Sequence, residues 1–427
     1  ALPASAQTPQ ELPPIIVQGA TLDTPKLPAQ TPAPPPQAQS PRRPPGPSTA
    51  TQAPPKAAPP TAPAAAQPAP SAPTATASSA ATGPVEPLPE PGGIPAANTG
   101  TSLSVITAAD LKNQQVRNAA EALRSLPGVS VNRTGGAAGL TQLRIRGAEA
   151  NQTLVLIDGI EANSGTDGEF DFSDLSAEDI ERIEILRGPQ SGLYGSNALG
   201  GVVNIITKGG RGPLTIAGSA EGGSLRTRDF TARVSGGNDR GNVSIGVHRR
   251  ESDGFNVATA RNPDLPGFRD TDSAALTSFS LKAGGQIAKD ASFDVILRNV
   301  AKSGGRDGFG GVTGQFATAI DDPSRFSSNI WLVGVNVRWD MLDGALTHML
   351  RANRNSTRRT DDDRGAFPFR SDNTSETDKV GYVATYRFAL PLMSTAKHSI
   401  SGLVEKEFET FKPRSDFTPG ADFRRSR

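Results

Sequence analysis

Ser176-Ala-Glu-Asp-Ile-Glu-Arg-Ile-Glu-Ile-Leu-Arg-Gly-Pro-Gln-Ser-Gly-Leu-Tyr-Gly-Ser-Asn-Ala-Leu-Gly-Gly-Val-Val-Asn-Ile-Ile-Thr207 decides the fold. Ser176 to Asp179 is a Ser-x-x-Asp cap, whose side chains can satisfy free backbone donors at a helix start. Ile183, Ile185 and Arg187 then alternate with Arg182, Glu184 and Leu186, the period of a strand, until Gly188-Pro189 stops it. Gly192, Gly195, Gly200 and Gly201 follow, and the β-branched run Val202 to Ile206 reads as a buried strand. The stretch is therefore two strands joined by a glycine-rich knot.

Within it, Leu186-Arg187-Gly188-Pro189, Leu193-Tyr194-Gly195-Ser196 and Gly200-Gly201-Val202-Val203-Asn204-Ile205-Ile206-Thr207 resemble the end of the plug domain of TonB-dependent outer-membrane receptors. Upstream, Ser104-Val105-Ile106-Thr107, Leu126-Pro127-Gly128-Val129, Leu143-Arg144-Ile145-Arg146-Gly147 and Val155-Leu156-Ile157-Asp158-Gly159 match the same family in order. The resemblance implies an α+β plug domain followed by an antiparallel transmembrane β-barrel. It also implies that Arg146 and Arg187 pair with glutamates on the inner barrel wall and lock the plug in place. A buried arginine left without such a partner costs about 3 to 5 kcal/mol.

Composition agrees with an envelope protein. The 427 residues carry a net charge of +1 and no cysteine, so there is neither a disulfide framework nor a Cys-based zinc site. The balanced charge gives no reason to expect nucleic acid. No apolar run approaches the roughly 20 residues of a membrane helix, so a membrane-spanning form has to be a barrel.

The N-terminal region has its own logic. Ala4-Ser5-Ala6 fits the end of an export signal. Ile15-Ile16-Val17-Gln18-Gly19 is an apolar patch in polar, proline-rich surroundings; such a segment cannot form a core but can add as a strand to a partner's sheet. It resembles the TonB box, which recruits the inner-membrane energy transducer from the periplasm. Residues 28–98 hold well over half of the 37 prolines and are expected to stay disordered and extended. At about 3.1 Å per residue such a tether reaches on the order of 200 Å when fully stretched.

The expected domains are a signal remnant and box at 1–27, the tether at 28–98, the plug at 99–208 and a barrel at 209–427. Thr107 to Asp110 and Asn118 to Glu121 are helix-cap signals inside the plug. Beyond Lys208, alternating segments near 214–222, 225–236, 242–250, 275–286, 291–301, 328–339, 345–357, 378–389 and 397–410 predict about nine of the 22 strands that the family uses, hence an incomplete barrel. Short and long connections alternate, as expected for tight periplasmic turns and long extracellular loops. Trp331, Val333, Val335, Val337 and Trp339 form one face, an apolar row ending in two interfacial tryptophans, and Val380, Tyr382, Ala384 and Tyr386 repeat it.

Catalytic patterns are missing. The three histidines fall on different predicted strands, and no hydrolase elbow or phosphate loop occurs. The acidic pairs and runs Asp270 with Asp272, Asp321 with Asp322, and Asp361-Asp362-Asp363 lie in predicted outer loops and are candidate calcium ligands, as in some cobalamin receptors of the family. No other cofactor is indicated.

The resemblance thus implies a monomer embedded in outer-membrane lipid of a Gram-negative cell. It would import a small ligand such as an iron–siderophore or cobalamin, with a TonB-type transducer as partner. The alternative is a surface receptor or adhesin, or a decayed receptor, that does not transport.

Overall fold

The computed structural model describes residues 102–258, 267–310, 318–364, 368–389, 397–417, 420 and 422–426. The TonB-box candidate and the tether lie outside them. The plug comprises β1 (Ser102–Thr107), α1 (Ala108–Asn113), α2 (Ala119–Leu123), β2 (Val129–Arg133), β3 (Thr141–Ile145), β4 (Thr153–Ile157), β5 (Ile160–Glu161), β6 (Ile180–Arg187), α3 (Ser191–Tyr194) and β7 (Gly201–Thr207). Its main sheet has the order β1-β6-β7-β4-β5, with β4 and β7 parallel, and β2-β3 forms a separate hairpin.

Both expected caps form. Thr107 and Asp110 make a reciprocal capping box at α1, and the Asn118 side chain accepts from the N–H of Ala120 at α2. α2 ends at Leu123, and its residues Ala119, Ala120, Ala122 and Leu123 are all buried. The glycine-rich knot between β6 and β7 contains the single turn α3.

Two family motifs are explained by turn chemistry. Arg146-Gly147 and Asp158-Gly159 each place two successive residues at positive φ (52° and 80°, 50° and 83°). Asp158-Gly159 is the two-residue connection between β4 and β5, whose partners Ile157 and Ile160 face each other. Two positive φ angles in succession match the twist of the flanking strands, and glycine accepts the second without strain.

The wall consists of β8 (Thr215–Gly222), β9 (Arg228–Asn238), β10 (Gly241–Ser252), β11 (Ala274–Ala288), β12 (Ala291–Gly305), the small hairpin β13 (Gly308–Gly310) and β14 (Thr318–Ile320), then β15 (Arg325–Met341), β16 (Leu346–Asp363), β17 (Phe369–Ala389), β18 (Lys397–Ser415) and β19 (Phe423–Ser426). Leaving the hairpin aside, these make a ten-stranded antiparallel meander in chain order. The tenth strand, β19, is four residues that the alternation pattern is too short to reveal.

Several strands are longer than expected. β15 to β18 run 17, 18, 21 and 19 residues, well past the roughly 9 to 11 that cross a bilayer. The predicted long loop Arg358 to Thr377 is consequently mostly strand, because β16 and β17 stay paired out to Asp363 and Phe369. Three tight connections lie at one end, between Asn238 and Gly241, Ala288 and Ala291, and Met341 and Leu346.

The outer face is as predicted. Trp331, Val335, Trp339, Val380, Tyr382 and Tyr386 are exposed, whereas Leu332 and Val383 on the opposite face are buried. The plug core, built on Leu123, Ile145, Ile160, Ile183, Ile185 and Ile205, incorporates Ile296 and Leu332 from the wall. Plug and wall therefore share one apolar core.

Gly334 of β15 marks the closest approach. A Cβ there would lie 2.7 Å from Cδ1 of Ile160, so the missing side chain is what admits the plug. Gly334→Val should lower unfolding stability by about 1 to 3 kcal/mol through overpacking, measured by denaturant unfolding in detergent. Gly402→Val, where nothing lies within 4 Å, should leave the midpoint unchanged.

Candidate functional site

Below the shared core, plug and wall are joined by buried charges. Ser176 caps the 3-10 turn Ala177–Asp179 by accepting from the N–H of Glu178, and the turn presents Asp179 to the wall. Asp179 is 2% exposed and pairs with both Arg233 of β9 and, at 3.2 Å, Arg298 of β12. The carboxylate of Asp158 accepts from the N–H and hydroxyl of Thr207 (3.0 and 2.5 Å) and takes Lys282 of β11 at 2.7 Å.

Lys302 of β12 sits between Asp171 and Asp174, 2.7 Å from the latter. Burial pushes the Asp174 carboxyl up to about 6, with the ammonium of Lys302 opposing the shift. Glu161 meets Lys379 of β17 at 2.5 Å, and Lys379 also reaches Glu407 at 2.7 Å.

The polarity is the reverse of the expected lock. In these pairs the plug contributes carboxylates and the wall contributes cations, whereas the exposed pair of Arg117 with Glu221 of β8 runs the other way. Arg187 donates instead to the carbonyl of Pro127 (2.7 Å) and the hydroxyl of Ser104 (2.5 Å), both inside the plug. Arg146 occupies the positive-φ position of its turn and is exposed. Among the described residues neither arginine meets a carboxylate.

The remaining motif residues build this frame. Gly188, Gly195 and Gly201 hold positive φ values of 112°, 87° and 153°. A Cβ on Gly200 would lie 2.6 Å from that of Ala148, and one on Gly201 would lie 2.4 Å from the carbonyl oxygen of Leu186. Tyr194 packs on the second apolar cluster of the plug, around Leu154, Leu186, Ala198 and Val202, while Pro189 is exposed where β6 ends. Sequence reasoning missed Asp179, Asp171, Asp174 and their wall partners. Their signal was a charge at inward-facing positions of the wall strands, as at Arg233, Lys282 and Arg298.

At the long-loop end of the wall, Asp270 and Asp272 come together with Asp307, which the sequence did not single out; their oxygens lie within 4.8 Å of one another. Asp321 and Asp322 stand close and are 3% and 1% exposed. Burial raises Asp270 to about 6 and Asp307 to about 7, reinforced by neighbouring carboxylates, and moves Asp272 the same way. Both oxygens of Asp307, Oδ1 of Asp270 and Oδ2 of the buried Asp322 have no hydrogen-bond partner among the described residues.

A hard divalent cation such as calcium fits these donors. Asp361, Asp362 and Asp363 do not join them. They belong to β16, where Arg306 and Arg359 hold Asp361, Arg364 holds Asp362 and Arg306 holds Asp363. Extended pairing of β16 with β17 places the three acids beside arginines.

An antiparallel wall with an apolar outer face and a folded domain ion-paired to its inner face defines a plugged outer-membrane barrel. Residues 95–202 match the family model of the TonB-dependent Receptor Plug Domain. The vitamin B12 transporter BtuB of Vibrio cholerae is 34% identical over 187 residues, covering 42% of this chain and 30% of that protein. The BtuB of Photobacterium profundum is 36% identical over 183 residues, with the same coverage. Among solved structures, the ferric citrate transporter FecA aligns at a TM-score of 0.61 and 17% identity over 76% of this chain and 51% of FecA. The siderophore receptor PirA of Acinetobacter baumannii aligns at 0.57 and 20% over 73% and 48%.

Residues 95–202 thus carry a TonB-dependent receptor plug domain, seated on a wall with the fold of the outer-membrane receptor barrels. The chain spans 30% of the length of the curated relatives it matches.

Asp179→Asn should destabilise the folded protein by about 3 to 5 kcal/mol, because Arg233 and Arg298 stay buried without their counter-charge. Arg117→Gln, which breaks the exposed pair with Glu221, should cost less than about 1 kcal/mol. Paired denaturant titrations in detergent check both. For the acidic cluster the folded-state pKa values lie above those of free carboxyls, so the folded state binds more protons than the unfolded one between about pH 4 and 7. In chelator, the melting temperature should therefore fall as pH rises through that window.

Proposed function

We propose that this receptor imports a scarce metal chelate of the iron–siderophore or cobalamin class across the outer membrane, energised from the inner membrane. The observation that carries the reading is the plug itself. It shares a core with the wall, yet is fastened to it by a handful of carboxylate–cation pairs. Ion pairs in a cavity that admits water can be exchanged for hydration, so a plug held in this way can be loosened and re-seated. The kinship with vitamin B12 transporters and the fold shared with ferric citrate and siderophore receptors support the same reading.

In this reading Ile15-Ile16-Val17-Gln18-Gly19 is the segment a TonB-type transducer pairs with, and the proline-rich tether carries the pull to Ser102. β1 begins there, and it is the edge strand of the plug sheet, paired only with β6. Force along the tether would thus meet an edge strand first, where Arg187 ties Ser104 and Pro127 together. Ligand bound at the outer end acts by favouring the state in which the box is released to the periplasm.

Calcium held by Asp270, Asp272 and Asp307 would offset the repulsion of these carboxylates and fix the outer loops that close over the plug. Protons compete for the same oxygens, so calcium affinity should weaken as pH falls from about 7.5 to 5.5, measurable by calorimetric titration of the purified protein.

Uptake of radiolabelled cyanocobalamin and of ferric siderophores in cells tests the import reading. Ile16→Pro removes a backbone donor from the added strand and should abolish energised accumulation while leaving surface binding intact. Binding with no accumulation in either protein would instead mark a surface receptor that does not transport.

A further inference from the structure

A second polar crevice lies between plug and wall, toward the long-loop end and apart from the acidic cluster. It is a cavity of about 70 Å³ whose lining includes Arg117 and Arg133 from the plug and His248, Arg250 and Lys302 from the wall. Arg117 is neutralised by Glu221 and Lys302 by Asp171 and Asp174. His248 and Arg250 share one carboxylate, Asp229, at 3.0 and 3.9 Å. Arg133 donates to the hydroxyl of Thr141 and has no carboxylate partner among the described residues. Glu121 also lines the crevice, and its Oε2 accepts the N–H of Arg117 at 3.4 Å.

His248 is the telling group. It is 3% exposed, its Nε2 is engaged with Asp229, and its Nδ1 has no hydrogen-bond partner among the described residues. Thr231 Oγ1 and Ser278 Oγ, flanking it on the same register row, are buried and unpartnered as well. Leaving such polar atoms unsatisfied is costly, and natural structures avoid it unless something else fills the role. With the neutral imidazole donating Nε2–H to the Asp229 carboxylate, Nδ1 presents a lone pair and therefore calls for a donor, while Arg133 and Arg250 call for negative oxygens.

We propose that this crevice binds a small oxyanion carrying its own hydroxyl, hydrogen phosphate or the hydroxycarboxylate end of a larger chelator. The hydroxyl donates to Nδ1 of His248 and the anionic oxygens accept from Arg133 and Arg250. The role of the crevice rests on the import reading: a hydroxyanionic part of the cargo pauses between plug and wall on its way in. Binding itself does not depend on transport, so absent uptake would leave the site standing.

The test uses the purified full chain in detergent with ¹⁵N-labelled histidine, since three imidazoles give a resolvable spectrum. Inorganic phosphate and glycolate are titrated separately, with chloride as the control anion. A saturable shift of the His248 Nδ1 resonance with phosphate assigns the site to phosphoryl groups, and with glycolate to hydroxycarboxylates; either outcome supports the proposal. Arg133→Gln removes an exposed plug side chain that the fold does not need, and should weaken that binding by about tenfold or more. No shift with either anion, or an equal shift with chloride or in the Arg133→Gln protein, would overturn it.

Discussion

A carboxylate taken out of water must find a cation, and in this receptor five plug carboxylates find theirs on the wall. Asp158, Asp171, Asp174, Asp179 and Glu161 reach Lys282, Lys302, Arg233, Arg298 and Lys379 across the boundary between the two parts of the fold. The local structure of the plug is arranged to present them. An Asp-Gly turn with two positive φ angles delivers Asp158, a Ser-capped 3-10 turn delivers Asp179, and Asp171 caps the turn that holds Asp174. Apolar packing of Ile160 into the gap left by Gly334 then fixes the distance at which these pairs can close.

Charge and apolar contact do different work here. The shared core of Ile296 and Leu332 with the plug isoleucines resists separation whatever the pH. The ion pairs add geometric definition, because each has one arrangement in which both partners are satisfied. Under the proposed import reading, the core would fix the seated position and the polar contacts could be remade if the plug moves.

Much of this was legible in the chain. Turn dipeptides, caps and the glycine knot located the plug, since each residue there answers a backbone requirement that leaves little choice. The outer face was readable because lipid enforces strict alternation, as in Trp331 to Trp339. Strand ends were not, because beyond the membrane nothing demands apolar residues, and β16 and β17 continue through Asp361, Asp362 and Asp363 on backbone pairing and arginine partners. The pairs seen between plug and wall were hidden for a related reason. Arg146 and Arg187 stand out in sequence by their motifs, whereas the pairs that join plug to wall unite residues 54 to 218 positions apart, which only the folded chain brings together.

The inner face of the wall has a character of its own once the plug is considered apart from it. Arg233, Lys282, Arg298 and Lys302 pair with plug carboxylates, so withdrawing those carboxylates would leave a cationic stretch of wall, whereas Lys379 would keep Glu407 of β18. This side of the lumen would then draw anions and repel metal cations. Were a passage to open here, such a wall would favour anionic or neutral solutes over bare cations and so act as a charge filter as well as a seat for the plug.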